Sequence, residues 1–408
     1  MRLRPFSALR PAPDRAAAVA SPPYDVVTRA EATEFAKGNP ASFLHVVRSD
    51  IDVPESVAPD HPRVYAQARE SLERLVREGT LLREQEPALY LYRLILDGHA
   101  QVGVVGCAHV DDYADGVIKT HETTRPDKED DRTQHILTLE AHAEPVLLAH
   151  RGQALVDRLA ATGIQAPPLY DFTAAGRVRH TVWKVEDPGS CVAAFGEVPA
   201  AYIGDGHHRS ASARRAALEH RSAGAGPRAD DEADWFPVAL FPAAQLRILA
   251  YNRLITDLGG RTTEEVLSKL AKAGRLTSTD DPLPAHPASF GIYLEGRWRR
   301  LELWASSVDH ADLLGSLDVT LLHERVLEPI LGIGDPRTDK RIDFAGGLHR
   351  PAALAARVDS GQAAMAIVLY PTSMTQLMAV SDAGRMMPPK STWFEPKLAS
   401  GLFVHTFG

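Results

Sequence analysis

Six consecutive residues near the middle of the chain combine anion-binding groups with groups that transfer protons. They are Gly204-Asp-Gly-His-His-Arg209. The residues before them predict a short buried strand, and those after them are good helix formers. A strand-to-helix turn directs backbone N–H groups at whatever lies over the helix start, where the helix dipole also favours an anion. Arg209 adds a planar guanidinium suited to phosphate or carboxylate. The pattern predicts a phosphate-binding loop and a candidate for catalysis, with an ordinary polar turn as the alternative.

A second segment, Lys119–Arg132, concentrates charge in the sequence KTHETTRPDKEDDR. It holds both cations that could bind phosphate and carboxylates that could bind a metal. We interpret it as a loop that carries functional side chains. A solvated charged loop is the alternative. His121-Glu begins like a zinc-protease motif, but that motif needs a second histidine where Arg125 stands. Because Pro126 would also disturb the required helix, the sequence excludes this motif.

Two further polar segments carry candidate residues. Asp25 follows two prolines, which predict an extended segment, and it is either a functional carboxylate or a hydrogen-bonding turn residue. Lys390-Ser-Thr392 resembles the end of a P-loop, but Pro389 stands where that motif requires glycine. Proline has no N–H to offer a phosphate, so the sequence excludes a P-loop there and leaves ligand contact or a structural turn.

Composition limits the classes of function. The 408 residues predict two or three domains, and 44% hydrophobic with 24% charged residues is typical of a soluble globular protein. The net charge of -8 argues against sequence-independent nucleic-acid binding. Cys107 and Cys191 lack zinc-like spacing, and no signal-peptide core or membrane-spanning run occurs. We therefore predict a cytoplasmic protein without a membrane partner.

The surrounding elements predict an α+β fold of mixed, largely antiparallel sheets with flanking helices. Capping boxes at Thr28 and Thr262 predict two helix starts, and 61–79 has an amphipathic helical pattern. Hairpins are predicted across Asp97-Gly98 and Glu295-Gly296. Strands are predicted at 144–149, 179–185, 235–241 and 246–255, with Asn252-Arg253 facing solvent, and 219–233 is predicted to be a loop. We place domains at 1–150 (N-terminal α+β), 151–260 (the DGHHR turn) and 261–408 (C-terminal α+β).

Seven blocks in order resemble the large prokaryotic family catalogued as domain of unknown function 1015. The blocks are SPPYDVV, GNPASFLHVVR, GVIKTHETTRPDKEDDR, YIGDGHHRSASA, LAYNR, LEPILGIGDPRTDKRIDF and MPPKSTWFEPKLASGLFVH. The resemblance runs nearly end to end. Its DGHHR block is similar to the signature of free serine kinases of the ParB/sulfiredoxin-like superfamily. The resemblance therefore implies a ParB/sulfiredoxin-like nucleotide-binding core.

The resemblance also implies roles for individual residues. In that superfamily the turn and the following helix hold nucleotide phosphates. Asp205 would lie near the metal or the reacting group and is the candidate metal ligand, and His208 is a further catalytic candidate. The free serine kinases use a glutamate base, for which Glu122 is the first candidate here and Asp25 the second. The candidates for binding nucleotide phosphates are Gly206, His207, Arg209, Ser210, Arg125 and Lys128.

The sequence thus predicts a nucleotide-dependent kinase acting on a small hydroxyl substrate, with free L-serine converted to O-phosphoserine as the first candidate reaction. Magnesium and ATP or ADP are the expected cofactors, since phosphoryl transfer mainly requires positioning and charge neutralisation. The alternatives are a ParB-like nucleotide-gated binding module without kinase activity and a metal-dependent hydrolase. Symmetric dimers are the commonest assemblies of soluble proteins, so a homodimer is the default expectation.

Overall fold

The computed structural model describes residues 1–174, 176–223, 231–347 and 350–408. Its contacts divide the chain into two compact units, which are described separately. The first comprises Met1–Leu246 with Pro396–Gly408, and the second comprises Arg247–Glu395. These boundaries differ from those that we predicted at 150 and 260. No helix among the described residues has the length and apolar character needed to cross a bilayer.

The first unit is built on a mixed sheet whose strands are mostly antiparallel. From one edge, the strands are Ile118–Lys119, Ala201–Asp205, Val146–His150, Trp235–Pro242, His99–His109, Tyr90–Leu96, Arg179–Lys184 and Tyr170–Thr173. Leu3–Arg4 pairs with His99–His109 outside this order. The two parallel pairings both lie near the end of the sheet that carries Ala201–Asp205. Two small sheets pair Leu9–Pro11 with Leu81–Arg83 and Ala141–His142 with His405–Thr406.

Helices flank this sheet. They are Ala16–Val19, Arg29–Ala36, Leu44–Val47, Pro62–Arg77, Val110–Ala114, Pro126–Leu139, Ala154–Gly163, Pro188–Gly196 and His207–Ala223, with 3-10 turns at Ser49–Asp52, Glu232–Asp234 and Ala243–Gln245. One apolar core packs against the sheet through Leu148, Ile203 and Leu240. A second lies among the N-terminal helices around Phe43 and Leu75. Burial of this apolar area is the main stabilising term for such a unit.

The second unit contains an antiparallel sheet of six strands. Their order is Gly274–Ser278, Arg297–Leu303, Ser289–Leu294, Met365–Leu369, Asn252–Ile255 and Ile342–Ala345, and Ile248–Leu249 pairs separately with Trp393–Phe394. Its helices are Thr263–Ala273, Asp318–Leu322, Glu328–Leu331, Pro351–Asp359 and Met374–Asp382, with a 3-10 turn at Ala305–Ser307 and a π-helical turn at His323–Leu327. The mixed, largely antiparallel α+β class is therefore confirmed.

Local patterns predicted many of these elements correctly. Both capping boxes are formed, because the Thr28 and Thr262 side chains accept the N–H of the glutamate three residues later. The predicted hairpin at Asp97-Gly98 turns with positive φ at both residues. The hairpin at Glu295-Gly296 forms in the same way.

Three local predictions were wrong. Pro126 was expected to disturb a helix, yet it begins the helix Pro126–Leu139, because proline has no N–H and the first turn needs none. Asn252-Arg253 was expected to face solvent, but both residues are buried in a central strand. The predicted loop at 219–233 is helical as far as Ala223, and residues 224–230 lie outside the described part of the chain.

Buried histidines predict that the first unit loses stability in acid. Burial lowers the pKa of His121 and His180 to about 4, and that of His135 and His142 to about 3. The ordinary pKa of histidine is about 6.5, so above this pH these histidines are neutral in both the folded and the unfolded chain. Below it, the unfolded chain binds protons that the folded chain does not. Each such histidine then removes about 1.4 kcal/mol of unfolding free energy per pH unit.

His142→Leu should therefore weaken the loss of stability on acidification by about one proton's contribution. The measurement is the free energy of unfolding between pH 7.5 and 5, followed by circular dichroism and calorimetry. His310→Gln is the matched control, since His310 is exposed and changes its surroundings little on unfolding. Identical pH dependence in His142→Leu and the unmodified chain would contradict the interpretation.

Candidate functional site

The DGHHR segment forms a much tighter turn than the sequence indicated. Asp205 is the last residue of the strand Ala201–Asp205, and His207 is the first residue of the helix His207–Ala223, here called the DGHHR helix. Only Gly206 lies between them, with a φ of 106°. A Cβ at Gly206 would lie 3.0 Å from the Arg209 Nε atom. Glycine is therefore required both by the backbone conformation and by the space available.

Asp205 is held between two cations. Its Oδ1 atom lies 3.0 Å from the Lys397 Nζ, and its Oδ2 atom lies 2.5 Å from an Arg209 terminal nitrogen. Burial alone would raise the pKa of Asp205, but the two cations outweigh burial and hold the pKa well below its usual range. Asp205 is therefore an ionised carboxylate whose two oxygens are both in ion pairs.

Arg209 points into the protein interior. One terminal nitrogen donates to Asp205, and the other donates to the Pro145 carbonyl oxygen. Its buried Nε–H finds no acceptor among the described residues. Burial would lower its pKa, but Asp205 and other acidic groups raise it above the usual value. The Arg209 guanidinium, which was predicted to bind phosphate, therefore donates to acceptors of the protein itself. Its contacts stabilise the turn from the buried side.

Behind Arg209 lies a small polar cavity of about 30 Å³, lined in part by Arg132, His135 and Glu144. This volume is sufficient for a water molecule. Glu144 accepts hydrogen bonds from the Tyr24 N–H at 3.2 Å and from the Ser400 hydroxyl at 2.6 Å. Burial raises the pKa of Glu144, and Arg209 opposes that rise. The turn is thus supported by a buried polar network.

His207 is buried and faces the charged segment. Its Nε2 atom accepts the His121 main-chain N–H at 3.4 Å, and its ring meets the His121 ring edge-on at 4.4 Å between centroids. Its Nδ1 atom lies 3.9 Å from the Glu122 Oε2. Burial lowers the pKa of His207 well below its usual value, so the ring is neutral. Because Nε2 accepts, the neutral ring carries its proton on Nδ1, which lies 3.9 Å from the half-buried Glu122 carboxylate, beyond hydrogen-bond distance.

His121, Glu122 and His207 also form a group whose ligand atoms lie within 4.8 Å of one another. Two imidazoles and a carboxylate suit a transition metal. However, His207 would have to give up either the contact from the His121 N–H or the proton directed at Glu122. The arrangement therefore suits an oriented carboxylate better than a metal ion.

His208 joins the turn to the charged segment. Its Nε2 atom accepts the Arg125 main-chain N–H at 3.1 Å, directly before the helix Pro126–Leu139, here called the companion helix. Burial lowers the pKa of His208, with Asp25 and Glu129 opposing the shift. His208 is thus a neutral acceptor that joins the starts of two helices.

The two helices also pack along their length. The Ser212 hydroxyl donates to the Glu129 carbonyl oxygen at 3.1 Å, and Arg215 forms an ion pair with Asp130. The Lys119–Arg132 segment and the DGHHR turn therefore lie together.

The remaining predicted residues differ in accessibility. Arg125, Lys128 and Asp25 are exposed, and the charges of all three act on His208. The Ser210 hydroxyl instead donates within its own helix, to the Gly206 carbonyl oxygen at 3.2 Å. Two cations and two carboxylates, the second being Glu129, thus act on His208, whereas Ser210 is turned inward.

Sequence reasoning did not select Lys397 or Glu144. Lys397 lies in a block that carried the family resemblance, but nothing in its local sequence indicates a partner 192 residues away. Glu144 stands at the start of an apolar run, where a carboxylate usually faces solvent. The C-terminal segment pairs with the N-terminal region at Ser21 and Ser400 and at Leu9 and Val404, and these contacts bring the groups together.

Removing the Asp205 carboxylate should destabilise the first unit. Asp205→Asn leaves two cations without their shared counter-ion, and breaking a buried ion pair costs about 3–5 kcal/mol. Lys397→Met should cost less, because Asp205 keeps Arg209. Chemical denaturation measures both effects, with Lys37→Met on the exposed Lys37–Glu34 pair as the control. Equal stability of Asp205→Asn and the control would contradict this account.

Several solved structures resemble this chain at low identity. SbnI with C-terminal truncation from Staphylococcus aureus is 14% identical with a TM-score of 0.38, covering 74% of this chain and 86% of the other. A free serine kinase in complex with AMP is 11% identical with a TM-score of 0.38, covering 73% and 90%. A conserved hypothetical protein from Pyrococcus furiosus is 12% identical with a TM-score of 0.35, covering 73% and 93%. None of these three reaches a TM-score of 0.5.

The comparison with curated proteins yields no match. The family described as protein of unknown function (DUF1015) matches residues 3–320, which is more than three quarters of the chain. This match confirms the membership predicted from the seven sequence blocks, and the chain belongs to the DUF1015 family.

Proposed function

We propose that this protein is a nucleotide-dependent kinase that phosphorylates a small hydroxyl substrate. Free L-serine, giving O-phosphoserine, is the first candidate acceptor, because the DGHHR block is similar to that of free serine kinases. ATP or ADP is the proposed donor, with Mg²⁺. The ParB/sulfiredoxin-like core implied by the same block belongs to this proposal.

One observation carries the proposal: the starts of two helices meet at His208. The companion helix has 14 residues and the DGHHR helix has 17, and the His208–Arg125 contact joins their first turns. Each helix start carries a partial positive charge, although the companion helix begins at Pro126, which has no N–H, and holds Asp127 and Glu129 in its first turn. Exposed Lys128 adds one full charge, and exposed Arg125 adds a second cation that pairs with Asp127. Such an arrangement suits the phosphates of a nucleotide.

Glu122 is the proposed general base. Its carboxylate is half-buried, so it remains accessible, and the His207 Nδ1 atom lies 3.9 Å from it. His207 acts as a positioning residue, because a neutral imidazole donor orients a carboxylate without neutralising it. A carboxylate placed in this way takes the proton from an acceptor hydroxyl.

The proposed transfer step balances without a covalent enzyme intermediate. The acceptor hydroxyl gives its proton to Glu122, and its oxygen forms a bond to the terminal phosphorus of the nucleotide. The bond from that phosphorus to the bridging oxygen breaks, and the nucleotide leaves with one phosphate fewer. Arg125, Lys128 and the two helix starts stabilise the negative charge on the transferring group.

Magnesium in kinases is usually held by one or two carboxylates together with substrate phosphates. Asp25 fits this role, because it is exposed and its charge acts on both His208 and Arg209. Asp205 fits less well, because Lys397 and Arg209 already occupy its two oxygens. Bound Mg²⁺ would neutralise charge on the nucleotide phosphates. Asp25 therefore replaces Asp205 as the proposed metal ligand.

Removing the two exposed cations should weaken nucleotide binding. We expect Arg125→Ala with Lys128→Ala to raise the KM for the nucleotide at least tenfold, because two charges that face the phosphates are lost. The control is Arg77→Ala, which removes another exposed helix arginine. The assay follows O-phosphoserine by ³¹P NMR with ATP or ADP, Mg²⁺ and serine. An unchanged KM in the double variant would refute the proposed phosphate site.

Glu122→Gln should separate catalysis from binding. We expect kcat to fall about 10²–10⁴-fold, the usual contribution of a general base, while the nucleotide Kd changes less than threefold. Glu197→Gln, at another exposed carboxylate, is the matched control.

Two other assay results would favour the alternative functions. Nucleotide binding without a phosphorylated product from any amino acid or small alcohol would favour the binding-module alternative. Phosphate release that does not depend on an acceptor would favour a hydrolase. Full kcat in Glu122→Gln would exclude Glu122 as the base.

A further inference from the structure

Two cations of the second unit, Arg253 and Lys390, form no ion pair with any carboxylate in the part of the chain that the structure describes. Arg253 is buried in the strand Asn252–Ile255, and its two terminal nitrogens donate to the carbonyl oxygens of Tyr251 and Lys390. Burial lowers the pKa of Arg253 to about 9. Among the described residues, no carboxylate lies within ion-pair distance of Arg253. A buried cation without a counter-ion is costly, so an external anion would stabilise it.

Lys390 supplies the second charge. Its side chain is exposed, and its Nζ atom lies 5.2 Å from the centre of the Tyr251 ring. The Arg253 guanidinium lies 6.0 Å from the centre of the same ring. Arg253 also donates to the Lys390 carbonyl oxygen at 3.1 Å, so the buried cation lies next to the backbone that carries the exposed one. A dianion placed against Lys390 would be attracted by both charges.

The backbone at Lys390 is held in an unusual conformation. Its φ is 60°, in the left-handed region that lysine rarely adopts. Two hydrogen bonds of the following residue, Ser391, fix this turn. The Ser391 hydroxyl donates to the Pro388 carbonyl oxygen at 2.5 Å, and the Ser391 carbonyl oxygen accepts from the Thr372 hydroxyl at 2.9 Å. Strain that the surrounding structure maintains is typical of ligand-binding positions.

Aromatic rings border the two cations. The Trp393 ring meets the Tyr251 ring edge-on at 5.2 Å, and Phe344 lies 4.7 Å from the Arg253 guanidinium carbon. The Trp393 indole N–H donates to Glu395 at 2.9 Å. The Tyr251 and Phe344 rings thus cover the buried Arg253 guanidinium, whereas Lys390 remains exposed to a ligand.

We propose that Lys390, Arg253, Tyr251 and Trp393 form a binding site for a phosphate group in the second unit. A phosphate carries close to two negative charges at neutral pH, which matches two cations better than the single charge of a carboxylate. Lys390 contacts the ligand, and Arg253 provides a fixed positive field behind it. This proposal does not depend on the proposed kinase activity.

Calorimetric titration of the full chain with inorganic phosphate and with AMP tests the site. Arg125→Ala with Lys128→Ala serves as the background, so that the proposed nucleotide site in the first unit contributes little. In that background we expect phosphate binding that Lys390→Ala weakens at least tenfold. Arg253→Met should weaken it to a similar extent. Arg385→Ala is the control, because it removes another exposed cation of the second unit.

The outcomes separate this proposal from the kinase. No phosphate binding by the folded background variant, or an unchanged Kd in Lys390→Ala, would overturn the second-unit site, whatever the kinase assay gives. Because Lys390 is exposed, its substitution tests the site even where Arg253→Met unfolds. AMP and phosphate of equal affinity would identify a site for phosphate alone. Tighter AMP binding that Trp393→Leu abolishes would show that the rings also stack on a base, and both results support a phosphate site.

Discussion

The ion pairs of Asp205 with Lys397 and Arg209 are the constraint on which the first unit's site depends. Three ionic groups are removed from water, and the cost is acceptable only because each oxygen of the carboxylate meets a cation. Arg209 ties the helix start to the end of the strand. Lys397 ties both to the C-terminal segment, which lies far away in the sequence. The tight turn at Gly206 and the position of the DGHHR helix follow from these contacts.

Burial sets the protonation state of the adjacent histidines. His207 and His208 stay neutral because the interior disfavours imidazolium, and each therefore accepts a main-chain N–H from the charged segment. A protonated imidazole could not accept these bonds. The neutral state thus joins the turn to the Lys119–Arg132 segment and leaves the His207 Nδ1–H facing Glu122. Desolvation of the two imidazoles therefore keeps them neutral, and the neutral rings accept the hydrogen bonds that hold the site together.

The two proposed anion sites use charge in different ways. In the first unit, the innermost cations are neutralised by Asp205. Exposed Lys128 and Arg125 lie at the surface, where Arg125 pairs with Asp127, an exposed carboxylate that a phosphate group would have to displace. In the second unit, Arg253 is buried without an offsetting carboxylate, so its field extends toward exposed Lys390. The first arrangement suits a substrate that enters and leaves during turnover. The second provides a permanent attraction for a phosphate group.

Sequence by itself determined the features that depend on neighbouring residues. These include the family, the α+β class, the capping boxes at Thr28 and Thr262 and the hairpin at Asp97-Gly98, because caps and turns are set within a few residues. Tertiary structure decided which charges are available. Arg209 carries a guanidinium suited to phosphate, yet its acceptors are Asp205 and a main-chain carbonyl. A partner such as Lys397 could not be foreseen, because burial and ion pairing depend on which distant segments meet.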